Sequence, residues 1–434
     1  MANIIDYLDW RGDIGFDISP FNEIDNLILS QMCYTDFEGV ITQDDTLSIV
    51  DTARLYFEIH TEEEILGRDT FYKMAPMVLK KAAKTKRFQE VQLKNYINLI
   101  SMDREEQFSA LTFVLPDGMQ YVAFRGTDNT LVGWKEDFNL CFMSETAGQK
   151  RAVEYVNYYF DSEGGDIILG GHSKGGNFAI YSAAFCEQQV QDRIVGIYSN
   201  DGPGFREEIL ETEEYNTILP KIRCFIPSDS MVGILLENQC DYEIVKTDAK
   251  GINQHDPMSW QVLGEKFVPA EKRGEGSKLI DKTMVKWLSE ISDDERQAFI
   301  DTVFATLDNS GVKTINDLSE GGIKKLSELV KKVKSLPADK QAEMSSIVKR
   351  FLQIGSDYAF TGIKDKVRIP REKKRIRKQM IERRKKLPKL QVKERSENIC
   401  QKIVSSEAYK NAEKILVYMS IQNEVNMSYL IKSA

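Results

Sequence analysis

The chain has 434 residues, 42% of them hydrophobic and 29% charged, with a formal net charge of −9. That length exceeds one ordinary core and predicts two or more domains, and the composition excludes the collagen-like and disordered classes. No apolar run reaches the roughly 18 residues of a membrane span, and the start "MANIIDYLDWRGDIGF" lacks the basic and apolar regions of a signal peptide.

Taken in chain order, residues 1 to about 110 read as mostly helical. "FNEIDNLILSQMCY" has apolar residues at helical spacing, and "TFYKMAPMVLKKAAKTKRF" reads as an amphipathic helix with a basic face. The period then changes. Phe108–Leu115 and Met119–Phe124 are β-rich runs on either side of Pro116-Asp117-Gly118, which predicts a hairpin. A helix is expected over Gly148–Phe160. Strand and helix then alternate: "DIILGG" before "GNFAIYSAAFCEQQ", followed by "RIVGIYSND", "KIRCFIPSD" and "YEIVKTD" as further strands. Short buried strands separated by helices imply an α/β fold, a mostly parallel sheet with helices on both faces.

Beyond about residue 262 the strand patterns stop. Helix-period segments follow, one with a start signal at Ser292-Asp293-Asp294. Residues 361–400 carry 16 Lys+Arg against 5 Asp+Glu, in a chain that is otherwise acidic, and a sign change that sharp marks a module boundary. There "REKKRIRKQMIERRKKLPKL" is a helix candidate stopped by Pro388, and "AEKILVYMSIQNEVNMSYLIKSA" reads as strand, turn and helix start. Three segments are expected: 1–262, an α/β domain with a helical N-terminal part; 263–360, a helical extension; and 361–434, a basic partial α/β segment. The six cysteines are scattered with no C-x-x-C pair, which argues against a zinc site and a disulfide framework. Reduced thiols and a cytoplasmic location are the expectation, with no metal and no cofactor.

"ILGGHSKGGNFAIYSAA" carries the chemistry. The pattern G-x-S-x-G is common by chance, but here Ile167–Leu169 supply a strand before it. Gly171 and Gly175 give clearance at the turn, and small residues let the next helix pack closely. A serine at such a turn needs a histidine base, and the chain has three: His60, His172 and His255. Only His255 follows Ser173, as the order Ser, acid, His requires. His172, adjacent to the serine, reads as a packing or hydrogen-bonding residue, and His60 as a helix-end or surface residue. The acid should sit where a strand ends, between Ser173 and His255. Asp229 after "KIRCFIPS" is the first choice and Asp201 after "RIVGIYSN" the second. Oxyanion donors are expected from the backbone N–H of Lys174 and from Thr127 in "VAFRGTD". A lysine acting through its backbone leaves its side chain free to face solvent. After Asp229, "MVGILLENQ" is open to three readings: an acyl-pocket wall, a lid or an ordinary buried helix.

"YVAFRGTDNTLVGWKEDF" followed by "GHSKGG" resembles the class 3 lipase pattern. Together with "DYLDWRGD", "PFNEIDNLILS", "IPSDSMVGILL" and "QHDPMSWQV" it is similar to a bacterial α/β-hydrolase-like family of unsettled function, over residues 1 to about 350. The resemblance implies an α/β-hydrolase fold, a Ser173–Asp229–His255 triad, and Thr127 and Lys174 as oxyanion donors. It also implies that Trp134 and Asp137 brace the donor loop. The expected activity is serine esterase or lipase-like hydrolysis of a small-molecule or lipid ester. A hydrolase fold that only binds or regulates is the alternative.

The basic run admits a nucleic-acid or anionic-membrane surface, a solvated helix, or a third reading. From residue 373 onward the chain resembles the N-terminal part of 5-formyltetrahydrofolate cyclo-ligase. That resemblance implies Lys373 and Arg377 near nucleotide phosphates and Glu424 against folate. Only about 65 residues of that domain are present, without its glycine-rich loop. A truncated fusion without cyclo-ligase activity is therefore expected, and no nucleic-acid partner.

Overall fold

The computed structural model describes residues 2–274 (except Asp69, Phe71, Met102, Asn129, Ser162 and Glu163), Lys286, Glu290 and 292–308. It also describes 385–433 except 413, 416 and 418–423. The chain divides into two units, Met1–Ser356 and Asp357–Ala434.

In the first unit eight strands form one sheet in chain order: β1 (Thr46–Ser48), β2 (Gln92–Ser101), β3 (Glu106–Val114), β4 (Gln120–Phe124), β5 (Ile167–His172), β6 (Ile194–Asn200), β7 (Ile222–Pro227) and β8 (Tyr242–Val245). β1 to β4 pair antiparallel and β4 to β8 parallel, so the hairpin expected around Pro116-Asp117-Gly118 is β3–β4. The fold is of α/β-hydrolase type, with a mostly parallel sheet.

Strand order decides where the helices go. A parallel crossover is almost always right-handed, so strands added steadily in one direction send every crossover helix to the same face. α7 (Ala147–Phe160), α8 (Lys174–Phe185) and α11 (Glu213–Ile218) share one core with Val122, Phe124, Ile167, Leu169 and Ile197. The opposite face has no crossover to cover it. The N-terminal helices do so: α1 (Ile4–Arg11), α2 (Glu23–Met32), α3 (Ile49–Ile59), α4 (Glu62–Gly67) and α5 (Ala75–Ala82) pack over Tyr121, Ala123, Ile168, Tyr198 and Phe225. Alternate residues of one strand thus serve two cores, as the pleat requires.

Every residue of α2 is buried, including Asp25, Asn26, Ser30 and Gln31. Two polar networks make this tolerable for Asp25, Asn26 and Ser30, whereas the Gln31 side-chain amide has no partner among the described residues. Asp25 pairs with fully buried Arg87, whose remaining donors reach the carbonyls of Ile14, Ser19 and Pro20. Asn26 exchanges hydrogen bonds with Asn200 at the end of β6 and accepts one from Tyr121 Oη. Buried polar groups are stabilising only when fully partnered, and here they fix α2 in register against the sheet.

Residues 1–110 are not helical throughout, since β1 and β2 lie among them. The period-2 signal of β2 is broken by an irregularity between Lys94 and Ile97, with Asn95 at φ 57°. "MVGILLENQ" forms no helix; it is a series of bends and turns with Leu236 at φ 63°. Between β4 and β5 runs α6 (Leu131–Asn139), and short helices α9 (Gln188–Gln191) and α10 (Glu207–Leu210) flank β6. After the β9–β10 hairpin (Val262–Leu263 and Lys266–Phe267), α12 (Asp293–Asp308) starts at the expected signal. Ser292 Oγ accepts from Glu295 N while Glu295 accepts from Ser292 N, a capping box. α12 packs on α6 through Phe138 and Phe304.

In the second unit α13 (Lys389–Ser405) begins directly after Pro388, followed by α14 (Glu407–Lys410) and α15 (Ser428–Ser433). Cys400, Met427 and Leu430 form its core. Most of the basic run and much of the expected strand "AEKILVYMS" lie outside the described residues. Among the described residues no helix is long and apolar enough to cross a membrane.

Candidate active site

β5 and α8 meet at Ser173, which sits at φ 58° and ψ −135°. A non-glycine residue there is strained and persists only when its surroundings hold it. They do: the backbone N–H of Ser173 donates to Asn200 O at 2.9 Å, and Gly176 N donates to Ser173 O at 2.9 Å. A Cβ on Gly171 would overlap the backbone of Gly175, and one on Gly175 would overlap the Phe124 carbonyl, so both flanking positions admit only glycine. Ser173 is 6% exposed.

His255 ends a short 3-10 turn, Gly251–His255, with its side chain 21% exposed. Its Nδ1 lies 2.6 Å from Oδ2 of Asp201, whose side chain is fully buried. The other carboxylate oxygen of Asp201 accepts from Ser230 Oγ and from Gly233 N. This corrects the choice of Asp229. That residue follows β7, and its Oδ2 accepts from Gln254 Nε2 at 2.9 Å while its N–H donates to Gln254 Oε1 at 3.0 Å. Asp229 therefore fastens the residue before His255, whereas Asp201 meets the imidazole itself. The reason is strand order. β6 lies beside β5 and β7 one strand further, so an acid at the end of β6 is closer to Ser173 by about 5 Å.

The loop carrying His255 is anchored on all sides. His172 is fully buried, and its Nε2 lies 2.8 Å from His255 O. A carbonyl can only accept, so Nε2 carries the proton and Nδ1 accepts from Tyr34 Oη at 2.9 Å. Burial, and then the neighbouring His255, hold the His172 imidazole well below its usual pKa, and it stays neutral. The two rings lie with centroids 4.4 Å apart, tilted by 35° to one another. Trp260 Nε1 donates to Gln254 O and Asn3 Nδ2 to Met258 O, tying this loop to the N-terminal helices. His60 is the C-cap of α3, and its Nδ1 accepts from Arg68.

The segment after β4 faces the elbow: a Cβ on Gly126 would lie 2.9 Å from Ser173 Cβ. Among the described residues no acceptor takes the backbone N–H of Thr127 or of Lys174. Thr127 Oγ1 donates to Asp137 Oδ2 at 2.5 Å, so Asp137 does hold this loop. Burial pushes the Asp137 carboxyl up to about 6, against opposing effects led by Lys174 and the Thr127 hydroxyl.

The Lys174 side chain does not face solvent. It is fully buried, as is its partner Glu136, 2.7 Å away on α6. Its Nζ also donates to Gln107 Oε1 at 2.9 Å and Gln107 O at 3.2 Å, so all three ammonium protons are used. Glu136 in turn accepts from Gly148 N and Gln107 N. The lysine after the serine pins the start of α8 to β3, α6 and α7. The sequence signal available was "GWKEDF", whose Glu136 precedes Asp137.

Glu424 lies just before α15, while Lys373 and Arg377 fall outside the described residues. Among the described residues no group of three or more His, Cys, Asp or Glu side chains is arranged to hold a metal ion.

A parallel sheet with a strained serine between strand and helix defines an α/β-hydrolase fold protein of lipase-like type. The chain belongs to the Mbeg1-like family, whose model matches residues 82–305. Residues 369–434 match the model of the 5-formyltetrahydrofolate cyclo-ligase family. A crystal structure of M37 lipase is 17% identical, covering 48% of this chain and 68% of that one with a TM-score of 0.31. No curated protein matches the chain.

Proposed function

We propose that the protein is a serine hydrolase acting on a carboxylic ester of a small molecule or lipid. Ser173 Oγ attacks the carbonyl carbon as His255 Nε2 takes its proton. Asp201 holds the imidazole by Nδ1 and balances the charge that develops on it. The backbone N–H groups of Lys174 and Thr127 hold the oxyanion. His255 then returns the proton to the leaving alkoxide, and water repeats the sequence on the acyl-enzyme. The observation that carries this reading is the His255–Asp201 pair together with a strained serine and the Lys174 and Thr127 N–H groups, which have no acceptor among the described residues.

One observation favours a second reading, a binding or regulatory role for the same site: Ser173 Oγ and His255 are not hydrogen bonded in this structure. Catalytic hydrogen bonds commonly tighten only when substrate is bound. Turnover of p-nitrophenyl esters of increasing chain length, by wild type but not Ser173→Ala, is the result expected of the hydrolase. Equal background rates for both proteins would support the binding role. For residues 369–434 the family match supports nucleotide-phosphate contacts from Lys373 and Arg377 and a folate contact from Glu424. Loss of nucleotide binding on Lys373→Ala would test it.

A further inference from the structure

At the same sheet edge as Ser173 lies a cavity of about 240 Å³. Its walls come from the ends of α2, β2 and β4 and from the α4–α5 connection. Tyr34 forms part of one wall, and its hydroxyl bonds His172. Arg125 forms another. It follows Phe124, which pairs with Gly171 on β5, so the Arg125 backbone stands one strand spacing, about 5 Å, from the elbow strand, and its guanidinium reaches Asn98 on β2.

Among the described residues, three cations line this cavity, Arg68, Lys73 and Arg125, against two carboxylates, Asp36 and Asp128. Both carboxylates are engaged. Asp128 accepts from Thr130 and faces Arg125 at 3.6 Å, and Asp36 accepts from Glu38 N and Tyr96 Oη. The cations are not used up. Arg125 is 5% exposed and donates to Asn98 through Nη2 at 3.0 Å, yet its buried Nε has no partner. Among the described residues Arg68 bonds Tyr56 Oη and His60 Nδ1 and no carboxylate, and Lys73 forms no ion pair. Nε is sealed from the cavity, but Arg125 Nη1 takes no acceptor among the described residues, and an anion bound there would offset the cost of desolvating the guanidinium.

We propose that this cavity binds a carboxylate or phosphate group, so that the substrate is an anionic ester whose charged end lies on Arg125 and Lys73 while its carbonyl faces Ser173. This rests on the hydrolase reading of Ser173, but binding can be tested without turnover. Titration calorimetry on Ser173→Ala with inorganic phosphate and with succinate should show millimolar binding of at least one. Lys73→Gln in the same background should weaken that binding about 10-fold, the loss of one charge contact. Tighter binding of phosphate points to a phosphate-bearing ester, and tighter binding of succinate to a carboxylate. For wild type, p-nitrophenyl hemisuccinate should then exceed p-nitrophenyl butyrate in kcat/KM. No binding of either anion, or binding that Lys73→Gln leaves unchanged, overturns the proposal. Failure of Ser173 to react with an acylating probe, with anion binding intact, instead overturns the hydrolase reading alone.

Discussion

Replacing Lys174 by methionine keeps an unbranched apolar stem, one heavy atom shorter, and removes the charge and its donors. At an exposed site such a change costs about 0–1 kcal/mol, because solvent screens the pair. Here both side chains are fully buried. Glu136 would keep its two backbone donors, Gly148 N and Gln107 N, but would be left as an uncompensated buried carboxylate beside an orphaned Gln107 side chain. Breaking such a pair from one side costs about 3–5 kcal/mol, a large part of the roughly 5–15 kcal/mol that holds a domain together. Urea unfolding followed by far-UV circular dichroism reads this as a midpoint lowered by roughly 1 M or more at unchanged slope. The double variant Lys174→Met/Glu136→Gln removes the stranded charge and should be more stable than Lys174→Met alone. A single variant within about 1 kcal/mol of wild type would refute the argument, and so would additive effects in the double variant.

Asp201→Asn should lower ester turnover about a thousand-fold to ten-thousand-fold without unfolding the protein, since asparagine tolerates the φ of 52° at that position. Asp229→Asn should cost less than about 10-fold, because its carboxylate holds Gln254 rather than the imidazole. Comparable losses in both would return the acid's role to an open question. Asp137 has a folded-state value near 6 against an ordinary 3.8, so the folded protein binds the proton more tightly than the unfolded chain. Its contribution therefore falls as pH rises from 3.8 through 6. Asp137→Asn should gain about 1 kcal/mol relative to wild type between pH 5 and 7.5, measured as urea midpoints at the two values. An equal difference at both would contradict the assignment.

Much of this site was legible in the sequence, and what was not has a physical cause. Gly171, Ser173 and Gly175 announce the elbow because its crowding admits few residue types, and His255 followed from scarcity and order. The acid was ambiguous because chain order alone does not say which strand lies beside β5, and both Asp201 and Asp229 end a strand. The partner of Lys174 was hidden for a similar reason: Glu136 lies on another helix and meets it only through packing. β2 escaped notice because its irregularity at Asn95 shifts the alternation that identifies a strand. Covering of the second sheet face by α1 to α5 needed the strand order as well, although the apolar and polar mix of "EIDNLILSQM" belonged to a helix buried all round.

The central claim is that Ser173 is an activated nucleophile. A fluorophosphonate probe tests it most directly, with the labelled residue located by peptide mass spectrometry. The account predicts labelling of wild type at Ser173, strong slowing in His255→Ala and Asp201→Asn, and none in Ser173→Ala. Labelling of wild type no greater than that of Ser173→Ala would contradict it.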